Sequence, residues 1–319
     1  MPVTAFVSHE DSSRHDTGWN HPDHQGRLPA IVRAVQRDMA ALWEPLRQME
    51  GVPATEDDLL RVHTPEYVER VREMAVDAAR AEETLMLDGV PVSGASWDAA
   101  LAGVGSALTA VDAVLQGEVR NGFALARPPG RGAYADAAGE CSLFNNVAIA
   151  ARHLRERRGI GRVLVVAWGA LQPRALAKVL DGDDGVRLIS IHQHPQSFPD
   201  PQPESDGDDP PMLGAALAPG SGGEDFAAAL RQALDAIPAD ESPDFVLLSA
   251  GFCILAADAH GSLAVEPDEV HAITLILREW ADAHAGGRLV SVLEGGYSAK
   301  ETARAVIQHL HALAGLPPA

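Results

Sequence analysis

Val163-Leu-Val-Val-Ala-Trp-Gly-Ala-Leu-Gln172 opens on an unbroken run of apolar, largely β-branched residues. A strand with one wet face alternates apolar and polar positions. A continuous run belongs to a strand covered on both faces, as in a parallel sheet with helices above and below. Similar runs predict strands at 5–8, 122–126, 188–192, 245–250 and 289–293, besides 163–167. Apolar residues at helical spacing fill the intervals at 97–116 (closed by Gly117), 146–157, 174–180, 224–236, 267–285 and 299–314. This alternation is the βαβ rhythm of a largely parallel sheet with helices on both faces, an α/β fold.

In open α/β sheets ligands bind in the crevice beyond the carboxyl ends of the strands. Five strand ends here look built for a site: Arg127-Pro-Pro-Gly-Arg-Gly-Ala133, Ala167-Trp-Gly-Ala-Leu-Gln172, His192-Gln-His194, Ser249-Ala-Gly-Phe-Cys253 and Glu294-Gly-Gly-Tyr297. A hydrolase would place carboxylates, imidazoles or metal ligands at such ends. The chain offers Ala167, Gly169, Leu171 and Cys253 instead.

Composition narrows the partners. The formal net charge of −20, from 45 acids against 25 Lys plus Arg in 319 residues, lacks the basic footprint of a nucleic-acid binder and disfavours anionic membrane surfaces. Two cysteines, Cys141 and Cys253, make no disulfide framework, and a cytoplasmic location is expected. No signal peptide is read at Met1-Pro-Val-Thr-Ala-Phe-Val7, and no apolar run is read as a membrane span. The stretch at 200–211, with Asp206-Gly-Asp-Asp-Pro-Pro211, reads as a solvated loop; an EF-hand calcium loop would need a fuller spacing and a terminal Glu. Gly103-Val-Gly105 falls inside a predicted helix, so it is not a dinucleotide loop, which must follow a strand.

Seven segments, in order, carry a resemblance: His21-Pro-Asp-His-Gln-Gly-Arg-Leu28, His63-Thr-Pro-Glu-Tyr67, Arg127-Pro-Pro-Gly130, Leu143-Phe-Asn-Asn-Val-Ala-Ile-Ala-Ala151, Ile189-Ser-Ile-His-Gln193, Ser249-Ala-Gly-Phe252 and Glu294-Gly-Gly-Tyr297. Together they resemble the zinc-dependent histone deacetylase and acetylpolyamine amidohydrolase family, especially its bacterial members. The resemblance implies an arginase/deacetylase-like three-layer fold, one domain over 1–319 around a mostly parallel sheet of about eight strands. It also implies a zinc ion held by Asp, His and Asp, paired histidines as acid and base, and a tyrosine at the oxyanion.

Position by position, the reactive set is replaced. The family's His-His after Arg-Pro-Pro-Gly falls on Arg131 and Gly132, its aspartate and histidine ligands on Gly169 and Leu171, and its third ligand on Cys253. A further aspartate falls on Ala167, a Gly-Phe-Cys run on Glu140-Cys141-Ser142, and a Gly-Asn-Gly-Thr-Gln run on Pro173-Arg-Ala-Leu-Ala177. Only Tyr297 is kept, while Asn145, Asn146, Trp168 and Glu294-Gly-Gly296 remain as scaffold and Arg27 matches the internal-channel arginine.

The expected pocket is therefore Arg131, Gly132, Glu140, Cys141, Gly169, Leu171, Cys253 and Tyr297, with Tyr297 the one retained catalytic position. Arg131 and Glu140 are expected to pair across it; a grip by Arg131 on a carboxylate or phosphate is the alternative. His192 and His194 lie on one face of a strand and read as framework, with a new metal site beside Cys253 as the sharper alternative. His9, His15, His21 and His24 resemble a cluster, but several of them fall on the family's entrance-loop pattern. The predicted protein is a pseudoenzyme with no cofactor, zinc included. It binds a small ligand or a protein partner, with self-association open to it. One alternative is metal-independent hydrolase or transferase chemistry on Cys253 or Tyr297. Another is a structural subunit paired with an active homologue.

Overall fold

The computed structural model describes residues 3–198 and 212–319, so the Asp206-Gly-Asp-Asp-Pro-Pro211 loop lies outside the described residues. Among the described residues the strands are β1 (Thr4–Ser8), β2 (Leu46–Glu50), β3 (Leu85–Leu87), β4 (Val90–Val92), β5 (Asn121–Ala124), β6 (Val163–Trp168), β7 (Val186–Gln193), β8 (Leu213–Leu217), β9 (Phe245–Ala250) and β10 (Leu289–Leu293). Eight of them form one sheet in the order β2-β1-β5-β10-β9-β6-β7-β8. Every neighbouring pair in it is parallel. β3 and β4 form a separate antiparallel hairpin.

The central strands show why their sequences carry no polar alternation. β6, β9 and β10 are buried at every position. Side chains on a strand point alternately to its two faces. On β6, Val163, Val165 and Ala167 enter one hydrophobic core, and Leu164, Val166 and Trp168 enter the other. Helices Ser96–Leu115 and Asn146–Glu156 cover the first face; Gly223–Asp235, Val270–His284 and Ala299–Ala314 cover the second.

Predicted helices and central strands lie within a few residues of those observed. The edges differ. Leu46–Glu50 buries only Leu46, and Leu213–Leu217 buries nothing. An edge strand that leaves most side chains in water has no apolar run to read, which is why both were missed. Against the expectation of no apolar run of membrane length, Ser96–Leu115 is long and apolar enough to cross a membrane, but 72% of its apolar window is buried inside the fold. Gly105 on this helix lets the 52–54 segment come close: a Cβ there would stand 2.0 Å from the Val52 carbonyl oxygen.

The sheet order has one direct consequence for the site. The five strand ends follow β5, β6, β7, β9 and β10, and in the sheet these strands are neighbours, β5-β10-β9-β6-β7. Segments scattered between residues 127 and 297 thus open on one crevice.

Candidate functional site

The loop after β5 is held from three directions. Gly130 N–H donates to Glu294 Oε2 at 2.6 Å and Arg131 N–H to the same oxygen at 3.1 Å. Asn146 Nδ2 donates to the Pro128 carbonyl and Asn145 Nδ2 to that of Ala133. A Cβ on Gly130 would stand 2.4 Å from Asn146 N, so glycine is required for this approach. Asn145 also caps helix Asn146–Glu156 through its side chain, the ordinary use of Asn at a helix start. Its own N–H donates to His63 Nε2, and Tyr67 donates its hydroxyl to the Leu143 carbonyl. These contacts tie four of the seven sequence segments into one frame.

Within that frame lies a cavity of about 210 Å³, lined among others by Arg131, Leu171, Cys253, Glu294, His260 and Tyr297. Arg131 is only 6% exposed. Its Nη1 donates to the Trp168 carbonyl at 3.0 Å and its Nη2 to that of Leu171 at 3.3 Å, so the guanidinium sits on the end of β6. A Cβ on Gly169 would stand 2.0 Å from Nη1. Gly169 is therefore the floor on which Arg131 rests, and Arg131 and glycine at 169 depend on each other.

The expected ion pair with Glu140 is corrected: Arg131 spends its bonds on two carbonyls. Glu140 stays at the rim of the wall, where desolvation by the surrounding protein raises its carboxyl pKa against the pull of Arg131 and Arg174. Glu140 and Cys141 are the central residues of a tight turn closed by mutual bonds between Gly139 and Ser142, with φ of 46° and 66°. Left-handed backbone costs a non-glycine residue on the order of 1 kcal/mol or more. The strain is stored at the cavity wall.

Two residues here had been missed. Asp258, fully buried, accepts from the Tyr297 N–H at 2.6 Å and the His260 N–H at 2.9 Å, and lies 3.2 Å from His260 Nδ1. Burial raises its carboxyl pKa, but the bonds from His260 and Tyr297 outweigh this and hold it below its ordinary value. His260 then stands edge-on to Tyr297, with ring centroids 4.6 Å apart. The signal available was Asp258-Ala-His260, a carboxylate and an imidazole two apart just after a strand end.

Six of the eight expected pocket residues line the cavity: Arg131, Glu140, Cys141, Leu171, Cys253 and Tyr297. Gly169 lies beneath the Arg131 guanidinium, and Gly132 packs so tightly on Gly139 and Glu140 that a Cβ would come within 2.5 Å of both. Cys253 Sγ accepts from the Ala170 N–H at 3.1 Å; burial pushes its thiol pKa up against the pull of Arg131. Burial, helped by Asp23, pushes Cys141 up to about 12. Burial and then Cys141 push the Tyr297 phenol well above its ordinary value. These two thiols and the phenol are protonated at neutral pH, which makes all three weak nucleophiles.

The histidines scatter. His192 is buried, with Nδ1 2.8 Å from Ser190 Oγ, and His194 accepts from the Gln196 N–H in the loop beyond. Neither lines the cavity, and among the described residues no three His, Cys, Asp or Glu side chains gather as a metal site. His15 is buried against Ser96 Oγ, His9 accepts from the Asp11 N–H, and His24 lies beside Trp19. Of these four N-terminal histidines, His21 comes up to the wall, with Nε2 4.0 Å from Cys141 Sγ. Behind Tyr297, Arg27 and Arg127 both bond to the buried Asp23. Burial opposes ionisation of Asp23, but Arg127 and Arg27 hold its carboxyl below its ordinary value.

Comparison with known proteins agrees with this frame. A family model described as histone deacetylase domain matches residues 21–313. Polyamine deacetylase HDAC10 of Homo sapiens is 33% identical over 98% of this chain, covering 48% of its own length. The histone deacetylase-like amidohydrolase of Pseudomonas aeruginosa is 31% identical over 93% of the chain and 76% of its own length. A probable deacetylase of Archaeoglobus fulgidus is 31% identical over 93% and 82%. The chain spans about half the length of the HDAC10 relatives it matches.

One expectation is corrected by these matches. No cofactor had been expected, yet the matched family and its deacetylase members are zinc-dependent, so the expectation of a zinc-free protein falls. The side chains at the strand ends are nevertheless a poor fit to that ion. Catalytic zinc takes three protein donors of the Asp, His or Cys type. Gly169 and Leu171 carry no donor atom, Cys253 already accepts a backbone hydrogen bond, and a guanidinium cation lies against Gly169.

Proposed function

Because the chain belongs to the histone deacetylase domain family, we propose that it is a member whose strand-end cavity binds a small ligand and does not hydrolyse it by the family's route. The Arg131 guanidinium, seated on the Trp168 and Leu171 carbonyls over Gly169, carries this reading. A guanidinium donates hydrogen bonds and carries charge but does not accept a proton near neutral pH, so it cannot serve as a general base. Gly132 offers no second base. Tyr297 is still placed by Asp258 and can donate to a bound acceptor, which is a binding role. On this reading residues 1–319 act as one domain in the cytoplasm. Metal-independent chemistry on Cys253 or Tyr297 is disfavoured by the protonated state of both.

The relatives suggest the substrates to try. Acetyl-lysine peptides and N-acetylpolyamines would be incubated with the protein in buffer containing zinc, and released acetate measured. No release above a zinc-only control is expected. Turnover that scales with protein concentration and is inhibited by a hydroxamate overturns the reading.

A further inference from the structure

We propose that His260 is a general base in this cavity, removing a proton from the carbon between the carbonyls of a small neutral β-dicarbonyl compound while Tyr297 and Arg131 donate hydrogen bonds to the enolate oxygen. The inference rests on the reading that the cavity binds a small ligand, and it names what that ligand undergoes.

His260 supplies the base. Its Nδ1 lies 3.2 Å from Asp258 Oδ1, and the same oxygen accepts the His260 N–H at 2.9 Å. The buried Asp258 carboxylate is ionised and can only accept, so Nδ1 carries the ring proton and Nε2 keeps its lone pair. Among the described residues only Nδ1 of this ring is hydrogen-bonded. The ring is 41% exposed, lines the cavity and stands edge-on to Tyr297. An imidazole held by a buried carboxylate at one nitrogen and open at the other is arranged for proton transfer.

The donors face the same space. Asp258 Oδ2 accepts the Tyr297 N–H at 2.6 Å, so one carboxylate sets both the base and a donor. Burial keeps the Tyr297 phenol protonated. Arg131 has five N–H donors and commits two, to the Trp168 and Leu171 carbonyls. Glu140 and Glu294 line the cavity and compensate its charge, so Arg131 suits a neutral ligand. Glu294 does so from a fixed place: Oε2 accepts the Gly130 and Arg131 N–H groups, and Oε1 is buried without a partner.

A base with donors and no activated nucleophile suits a carbon acid, since both thiols and the phenol are protonated. Pro129, Ala170 and Leu171 keep the rest of the wall apolar, which disfavours a held water. His260 Nε2 takes the proton, the C–H electron pair forms the C=C bond of the enolate, and the carbonyl pair moves to oxygen, where the donors act. The imidazolium returns the proton to carbon or to oxygen, giving the keto or the enol form with no redox change and no co-reactant. Imidazole is a weak base, so two carbonyls are needed to acidify the C–H bond. A volume of about 210 Å³ limits the compound to a few carbons.

Ethyl acetoacetate in deuterium oxide separates this reaction from hydrolysis in one sample. Proton NMR should show saturable loss of the signal between the carbonyls, with bound substrate exchanging about a hundredfold or more faster than in buffer, the low end for a positioned general base. His260→Gln should return exchange to the buffer rate. Asp258 is a positioning residue, so Asp258→Asn should lower kcat and leave KM, with circular dichroism confirming that both variants fold. Exchange at the buffer rate in the parent, or exchange that His260→Gln leaves intact, overturns the assignment. Ethanol release that depends on His260 also overturns it, because the base then acts on water. Release of acetate from acetylated lysine or polyamine substrates overturns the underlying reading instead.

Discussion

Replacing Gly169 with alanine tests the seat of Arg131 directly. The new Cβ would stand 2.0 Å from Nη1, 2.5 Å from Nη2 and 2.6 Å from Cζ, and these are its three nearest atoms. Comfortable contact begins near 3.5 Å, so the guanidinium must retreat by roughly 1.5 Å. Bonds of 3.0 and 3.3 Å to the Trp168 and Leu171 carbonyls do not survive that retreat. Each hydrogen bond from a charged group contributes about 1.5–3 kcal/mol, and a flexible arginine recovers part of this elsewhere in the cavity, leaving a loss of about 2–4 kcal/mol. In an Arg131→Ala background the same Cβ meets the space the guanidinium has left. There, Gly→Ala should be neutral or stabilise by about 0.4–1 kcal/mol through the unfolded chain. The coupling between the two sites is then about 3 kcal/mol. Guanidinium chloride unfolding of the four proteins in this double-mutant cycle, followed by circular dichroism and tryptophan fluorescence, measures it. A coupling below about 0.5 kcal/mol, the usual scatter for independent sites, would refute the seated guanidinium.

Stability should fall on acidification below about pH 6.5. Burial holds the imidazoles of His15 and His309 at about 3 and those of His63 and His192 at about 4, below the ordinary imidazole value. The folded state therefore binds fewer protons than the unfolded chain, and the stability these groups contribute above pH 6.5 is lost as pH falls toward 4. Glu294, raised to about 7, works in the opposite direction between its ordinary value and 7 and offsets about one of them. His309→Gln should reduce the acid slope by about one proton in urea titrations at several pH values; an unchanged slope contradicts the assignment. Iodoacetamide at pH 8 should leave Cys253, and Cys141 with it, unmodified in the native protein and label both once unfolded. Rapid native labelling of Cys253 would reopen thiol chemistry.

The layered fold was legible because its cause is local. Phe245–Ala250 and Leu289–Leu293 are apolar throughout since both faces are covered, and Ala299–Ala314 repeats its apolar residues at helical spacing because one side packs on the sheet. β2 and β8 were not legible, because exposed edge strands are held by neighbours' backbones and not by their own side chains. The cavity was legible in part: the resemblance marked six of its lining residues, but His260, which also lines it, and Asp258 are brought there by packing on Tyr297, 37 and 39 positions later in the chain.

By itself, then, the sequence determined a parallel α/β sheet, its family, and the absence of the usual acids and imidazoles at the strand ends. Tertiary structure alone decided that five ends stand side by side, that Arg131 turns onto β6 instead of meeting Glu140, and that Glu294 keeps one oxygen unpartnered. These are relations between segments far apart in the chain, set by sheet order and backbone approach, and no local residue pattern encodes them.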